Sequence, residues 1–315
     1  MYMSTKQAAL QWGISERRVR ILCSEGRIDG VIRSGWAWNI PLDATKPTDG
    51  RQLRHLKNVD MRVGTVNFSS LEAMQHAFVS AKKDEGQMLR IFRNSIFRFV
   101  LGTFACEDLV MGNEDLALLY SGCFSQSVSF DTQLLALNVR SLLLRFVQEN
   151  GLGPLYKRVQ ATPYFTEKSL IHLYRSLLQG IDDEAGISYR EVESSELSLE
   201  KPALPVATRM EILLRQYEME WKTLHPLVRS LFLFGELLRI RPFGRYDVAF
   251  ASVVLAGELL ANGFPPAFVS LDQVNEFKAS LALTRTRGNY QHTVRMLEQS
   301  LHHEIALYTR KESPV

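Results

Sequence analysis

"HPLVRSLFLFGELLRIRPFGRYDVAFASVVLAGELLANG", residues 225–263, sets two strongly apolar stretches of helical period on either side of a short loop rich in Pro, Gly and Arg. A helix that is apolar on most of its faces is a buried one. The two stretches therefore predict a central helix pair, with the rest of this region packed around it. "RIRPFGRYDV", residues 239–248, is the turn of that pair. Whether this turn carries chemistry decides whether the chain is an enzyme.

Outward from the pair the helical period continues in both directions. "SLEAMQHAFVSAKKDEGQMLRIFRNSIFRFVLGTF" (70–104), "DTQLLALNVRSLLLRFVQEN" (131–150) and "TRMEILLRQYEMEWKTL" (208–224) carry apolar residues at helical spacing, as does "NYQHTVRMLEQSLHHEIALYTRK" (289–311). "TEKSLIHLYRSLLQGI" (166–181) starts on Thr166 as N-cap, sets Leu170, Leu173 and Leu177 on one face and stops at Gly180. "DDEAGISYREVESSELSLEKPALP" (182–205) is the one stretch here with the makings of a β-hairpin flap. No repeat period emerges.

At 315 residues the chain predicts a large domain plus a smaller one, or two comparable domains. Polar and basic residues arrive too early for a secretory signal at the start. The longest apolar runs, 248–264 and 231–238, are interrupted by Glu258 and Glu236, so no membrane span is expected. Cys23, Cys106 and Cys123 are odd in number and widely spaced, which fits neither a disulfide framework nor a zinc site. A reducing cytoplasm is the expected compartment. The net charge of +3 is uneven: residues 1–54 hold nine basic and five acidic side chains, against 28 and 29 in the remainder. A polyanion should meet the N-terminal segment first.

In that segment, "STKQAALQWGISERRVRILCSEGRIDGVIRSGWAWNIPLD" (4–43) reads as two short helices and a hairpin. Thr5 is the expected N-cap of the first helix, Ala8, Ala9 and Trp12 its apolar face, and Gly13 its stop. Ser15 caps the second, expected over 16–25 and ended by Gly26, with Val19, Leu22 and Cys23 inward and Arg17, Arg18 and Arg20 elsewhere. The alternation in "RIDGVIRSGWAWNIP" predicts a hairpin about "RSG". This is the layout of a winged helix-turn-helix, whose second helix enters the major groove while the hairpin tip reaches backbone phosphate. Ser15, Glu16, Arg17, Arg18 and Arg20 are candidate helix contacts, with Arg33 and Ser34 on the wing; Trp36 and Trp38 are read as packing groups. "KQAALQWGISERRVRILCSEGRI" and "WAWNIP" resemble the small helix-turn-helix of excisionase-like regulators. A different reading of the same module is a protein-binding scaffold with solvated arginines. "PLDATKPTDGRQLRHLKN" has no amphipathic period and reads as a linker. The expected organisation is residues 1–48 as the DNA-binding domain, 49–68 as linker and 69–315 as the helical domain.

The helical region resembles the Fic family, in members that carry a helix-turn-helix ahead of the Fic domain. The likeness rests on "SLIHLYRSLLQGIDDEAGISYREV", "LHPLVRSLFLFGELLRIRPFGR", "ANGFPP" and the C-terminal helix, in that order and spacing. The fold class expected is mainly α, a winged helix-turn-helix followed by an all-α Fic-type domain with a small β-hairpin flap. Active Fic proteins transfer AMP, or less often another phosphate-containing group, to a protein hydroxyl. Their loop supplies a His base, an acidic residue for magnesium, a Gly-Asn-Gly run whose amides cradle phosphate, and arginines, because phosphoryl-type transfer is chiefly positioning and charge stabilisation.

Pro242 and Phe243 match that loop, but Arg241 stands at the His position, and an arginine does not serve as a base near neutral pH. Aligning Gly244 and Arg245 with the family's Gly-Arg pair deletes four positions, including the acid and the Asn. The second arginine of the family falls on Val248, or on Arg245 with another gap placement; Asp247 is a candidate displaced acid. "TFACED" places Thr103 and Glu107 on the family's inhibitory helix motif, and they read equally as a retained switch or as ordinary helix residues. His225 before Pro226 reads as a turn-fixing group, and the neighbouring His302 and His303 do not face one site. No metal ligand set and no catalytic residue is assigned.

The function expected is a cytoplasmic DNA-binding regulator of transcription that acts as a homodimer on double-stranded DNA. Its Fic-like domain would lack AMP-transferase chemistry and serve dimerisation or ligand sensing, with Arg241 and Arg245 as an anion pocket for a nucleotide or other anionic ligand. No cofactor is expected. The alternative is an active Fic adenylyltransferase with a divergent loop, which would require ATP and magnesium.

Overall fold

The structure, a computed structural model, describes residues 2–24, 28, 30–35, 37–42, 44, 66–157, 164–186, 188–191 and 204–310, and the chain divides into two compact units, Met1–Met61 and Arg62–Val315.

The first unit holds β1 (Tyr2–Ser4), α1 (Thr5–Trp12), α2 (Glu16–Ser24), β2 (Ile32–Ser34) and β3 (Ala37–Pro41). β2 and β3 pair antiparallel with Ser34 opposite Ala37, which gives the expected hairpin a two-residue connection. β1 is a strand the sequence did not announce; at three residues it is too short to show alternation, yet it pairs with β3 and makes a sheet of order β1-β3-β2. Its last residue changes the capping of α1. Ser4, not Thr5, is the N-cap: its backbone is extended, its hydroxyl accepts the Gln7 N–H, and the Gln7 side chain accepts the Ser4 N–H in return. Thr5 lies inside the helix, and its hydroxyl donates to Glu16 at 2.9 Å. Gly13 ends α1 in the left-handed region, and the Ser15 hydroxyl accepts from the Arg18 N–H at the start of α2. Met3, Ala8, Val19, Leu22 and Ile40 are the best-buried members of a small core against which Trp38 packs. Trp36 and the expected stop at Gly26 lie outside the described residues.

The second unit contains α3 (Phe68–Val79), α4 (Glu85–Cys106), α5 (Asn113–Tyr120), α6 (Phe130–Asn150), α7 (Glu167–Leu177), α8 (Val206–Met219), α9 (Pro226–Ile240), α10 (Asp247–Ala261), α11 (Val274–Arg287) and α12 (Gln291–Thr309). α9 and α10 are the central pair. Every residue of α10 except Val248 is buried, against α9, α6, α4 and α7. That all-round burial is what an apolar run charged only at Glu258 requires. Gly257 lets α10 approach its aromatic neighbours, since a Cβ there would lie 2.8 Å from the Phe165 ring and 3.0 Å from that of Phe146. The two glutamates of the central pair are both held. Glu258 accepts from Arg229 Nε and from the Tyr217 hydroxyl of α8 at 2.6 Å, while Arg229 Nη2 donates to Asn262. Glu236 accepts from Arg239 and from the Tyr290 hydroxyl. A buried ion is tolerable only when its polar atoms are satisfied in this way.

The stretch 70–104 is two helices, broken where Asp84 and Gln87 form a capping box that starts α4. α5 and α11 were not read from sequence: α5 is eight residues long, and α11 carries a polar sequence with little amphipathic contrast. Thr166 caps α7 as expected, accepting the Ser169 N–H. The flap expected over 182–205 falls largely on residues outside those described, and its described part holds no strand. Among the described residues no helix is long and apolar enough to cross a membrane.

Candidate functional site

The loop between α9 and α10 is held from three sides. Arg241, the C-cap of α9, and Tyr246, which precedes α10, both sit in the left-handed region at φ 50° and 51°, with Gly244 between them at 78°. Non-glycine residues reach that region only where their surroundings over-determine it, at about 1–3 kcal/mol each. The surroundings here are explicit. Arg190, in the segment after α7, donates its N–H to Pro242 O at 2.9 Å, its Nε to Arg241 O at 2.6 Å and its Nη2 to Ile240 O at 2.9 Å. A cation thus sits on the carbonyl end of α9, where the helix dipole favours it. Phe243 stacks on Tyr174 with ring centroids 3.9 Å apart and meets Phe250 and Tyr189 at 5.4 and 5.6 Å. The Tyr174 hydroxyl closes the circuit by donating to Arg245 O.

The charged side chains of the loop separate into two groups. Arg241 Nε donates to Asp247 Oδ2 at 2.8 Å and Nη2 to Gly244 O at 3.4 Å. Arg245 is turned away, donating to Asp131 Oδ2 and the Tyr246 hydroxyl, both at 3.1 Å, with Asp182 4.0 Å distant. An anion arriving at either arginine therefore competes with a carboxylate already in place.

α10 has no side-chain cap of its own. Its Ala249 N–H donates instead to Glu107 Oε2 at 2.7 Å, from the C-cap residue of α4. A carboxylate thus occupies the positive end of the central helix, where an anion is stabilised by unpaired amides. Burial pushes the Glu107 carboxyl up to about 7, the nearby Asp247 charge adding to the rise, while the amides of Ala249 and Val248 and the Arg241 charge oppose it. Asp247 is itself buried, and its Oδ1 has no partner among the described residues; the same is true of Thr103 Oγ1 in the turn before Glu107. The site thus gathers Arg241, Asp247 and Glu107 at one helix N-terminus. Val248 contributes no charge.

Sequence reasoning assigned no role to Arg190, Tyr174 or Asp131. Arg190 and Tyr174 stood inside a stretch quoted for its likeness, but no local pattern says that an arginine will bridge carbonyls fifty residues away. His225 does fix its turn, accepting the Leu227 N–H on Nδ1, with burial lowering its pKa. His302 faces Glu298 one turn back, at 4.0 Å. Among the described residues no three His, Cys, Asp or Glu side chains are grouped as metal ligands. In the first unit Glu16 accepts from both Thr5 and Arg20, the latter at 2.7 Å, while Arg17 is exposed and Arg33 is exposed with its guanidinium 5.4 Å from the Trp38 ring centre. The Ser34 side chain lies outside what is described.

Solved structures of the same architecture define the class. Residues 134–508 of Fic-1 from C. elegans share 18% identity and a TM-score of 0.63, over 82% of this chain and 74% of that one. A Fic-domain-containing signalling protein from Bacteroides thetaiotaomicron shares 16% identity and a TM-score of 0.59, over 79% of this chain and 100% of that one. The sequence matches no protein-family model and no curated protein. The chain has the Fic fold, all-α around the α9–α10 pair, with a small three-stranded sheet in its N-terminal unit.

Proposed function

We propose that this protein is a DNA-binding transcriptional regulator whose Fic-fold unit carries no AMP-transferase chemistry and serves dimerisation or ligand sensing. The observation that carries this reading is the state of the α9–α10 loop. The residue at the base position is an arginine bound to Asp247, and the first amides of α10 are engaged by Glu107. In this reading the places of base, metal carboxylate and phosphate cradle are taken by the contacts of Arg241 with Asp247 and of Glu107 with the Ala249 amide.

The N-terminal unit supports the other half. α2 buries Val19, Leu22 and Cys23 and leaves Arg17 and Arg20 exposed, as a recognition helix requires; β2 and β3 supply the wing. Glu16 acts within this reading through Arg20, which it holds. Binding as a homodimer on a two-fold site follows from the few bases and phosphates that one such module can reach.

Two experiments test the proposal. In a gel shift on the upstream region of its own coding sequence, the protein should bind. Arg17→Ala with Arg18→Ala should weaken that binding and flatten its dependence on salt, by about 0.9 in log–log slope for each phosphate that is no longer neutralised. Incubation with labelled ATP, magnesium and cell extract should label no protein. Label transfer that vanishes in Arg241→Ala refutes the absence of chemistry; DNA binding indifferent to both substitutions at raised salt refutes the recognition helix.

A further inference from the structure

We propose that the cavity between α4 and α12, outside the α9–α10 loop, is a binding site for a small amphipathic monocarboxylate. The cavity has a volume of about 510 Å³, within the range of small-molecule sites. Phe97, Leu101, Phe268 and Leu271 supply its apolar wall, and Arg98 and Gln273 stand in the same lining.

Its walls are set by packing that does not depend on a ligand. Gly102 brings α4 onto the chain at Val269 so closely that a Cβ there would lie 2.1 Å from the Val269 carbonyl oxygen, and Phe99 packs on Phe268 at 5.6 Å. On the opposite side Arg98 of α4 is tied to Glu304 of α12: Nε donates to Oε1 and Nη2 to Oε2, both at 2.8 Å. The Ser95 hydroxyl also donates to Oε2, at 2.7 Å. A cavity bounded by locked helices exists before any ligand arrives.

The chemistry of the polar end follows from which groups are used. Both oxygens of Glu304 are taken. On Arg98, Nε and Nη2 are engaged, and no partner among the described residues takes the two N–H groups of Nη1. Gln273 accepts the Ser270 hydroxyl on Oε1, which leaves its amide NH₂ to donate. The unused N–H groups of Arg98 and Gln273 are donors, those of Arg98 on a cation, while Asn113, Gln299 and His303 in the same lining can each donate or accept. The Arg98 and Gln273 donors fit an acceptor, and a carboxylate most strongly because the hydrogen bond is then charge-assisted. The apolar wall fits a short alkyl or aryl body. This inference does not rest on the regulator reading, because it concerns binding alone.

Octanoate, octanol and octylamine serve as probes in calorimetric titrations of the full chain. Octanoate should bind with a Kd below about 1 mM, octanol at least about tenfold more weakly, and octylamine not at all. Leu271→Trp, at an exposed wall position, should abolish octanoate binding by filling the cavity. The double substitution Arg98→Gln with Glu304→Gln keeps both side chains hydrogen-bonding but removes the cation, and should weaken octanoate at least about tenfold at unchanged helicity. The proposal is overturned if octanoate does not bind, if octylamine or octanol binds as tightly, or if Leu271→Trp leaves binding intact.

Discussion

Glu107→Gln isolates the carboxyl that caps the central helix. In the folded protein this group titrates at about 7, against 4.5 when unperturbed, mainly because it is buried. The fold therefore accommodates its neutral form best. Below about pH 4.5 both folded and unfolded chains hold the proton, and the group takes nothing from stability. Between about 4.5 and 7 the unfolded chain releases the proton while the folded chain keeps it, so stability falls by up to about 1.4 kcal/mol per pH unit. Above 7 both states are ionised and the loss levels off at about 3 kcal/mol. Gln keeps an acceptor for the Ala249 N–H and never ionises. Urea denaturation followed by far-ultraviolet circular dichroism at pH 5, 6, 7 and 8 should show the variant gaining on the wild type as pH rises, with a difference between pH 5 and pH 8 of order 2–3 kcal/mol. Parallel stability profiles for the two proteins across that range would refute the buried, proton-holding cap.

Two further substitutions probe the central pair. Arg229→Ala leaves Glu258 fully buried with its main cation gone, and should destabilise by about 3–5 kcal/mol in the same denaturation assay; adding Glu258→Gln should recover part of that loss. Gly257→Ala places a methyl carbon 2.8 Å from the Phe165 ring, and should cost about 1–3 kcal/mol and lower Tm, whereas an unchanged Tm would show that the aromatic layer yields freely.

The central pair was legible because burial on every face leaves a composition that no other environment explains. The break at 80–84 was not legible from apolar period alone, since the period resumes on the far side; the Asp84 and Gln87 pair is the local signal that marks it. β1 and the Ser4 cap are linked for a similar reason. A three-residue strand has no period, and its end decides which hydroxyl faces the helix amides. Within the loop, the residue identities set Arg241 where the resembled loop has its His and Asp247 near a helix start. They did not announce that Arg241 turns to Asp247, six residues on, while Arg245 turns to Asp131 on a helix 114 residues away. Glu107 is the sharpest case. Its presence was read, but its bond to an amide 142 residues away follows only from where α4 ends.

The persistence of a Fic-like frame around this loop has its own physical account. Pro242 offers its carbonyl to the Arg190 N–H, Phe243 fills the space among Tyr174, Phe250 and Tyr189, and Gly244 takes a left-handed backbone beside the Arg190 side chain. Each of these residues holds the turn from α9 into α10 by a packing or backbone contact, whatever the loop does chemically. A frame that is held for packing says nothing of reactivity. The positions that would act on a phosphate have a different character: a base, a carboxylate and free amides carry unsatisfied bonding capacity that must be solvated or occupied. Here that capacity is occupied from within the fold, Arg241 by Asp247 and the α10 amides by Glu107. The Glu107 carboxyl accepts the Ala249 N–H at the helix N-terminus with no nucleotide bound. The same contact explains why the proposed loss of transfer chemistry is compatible with an undisturbed Fic core. On that proposal the difference lies in bonding capacity at the mouth of the α9–α10 pair and not in the packing beneath it.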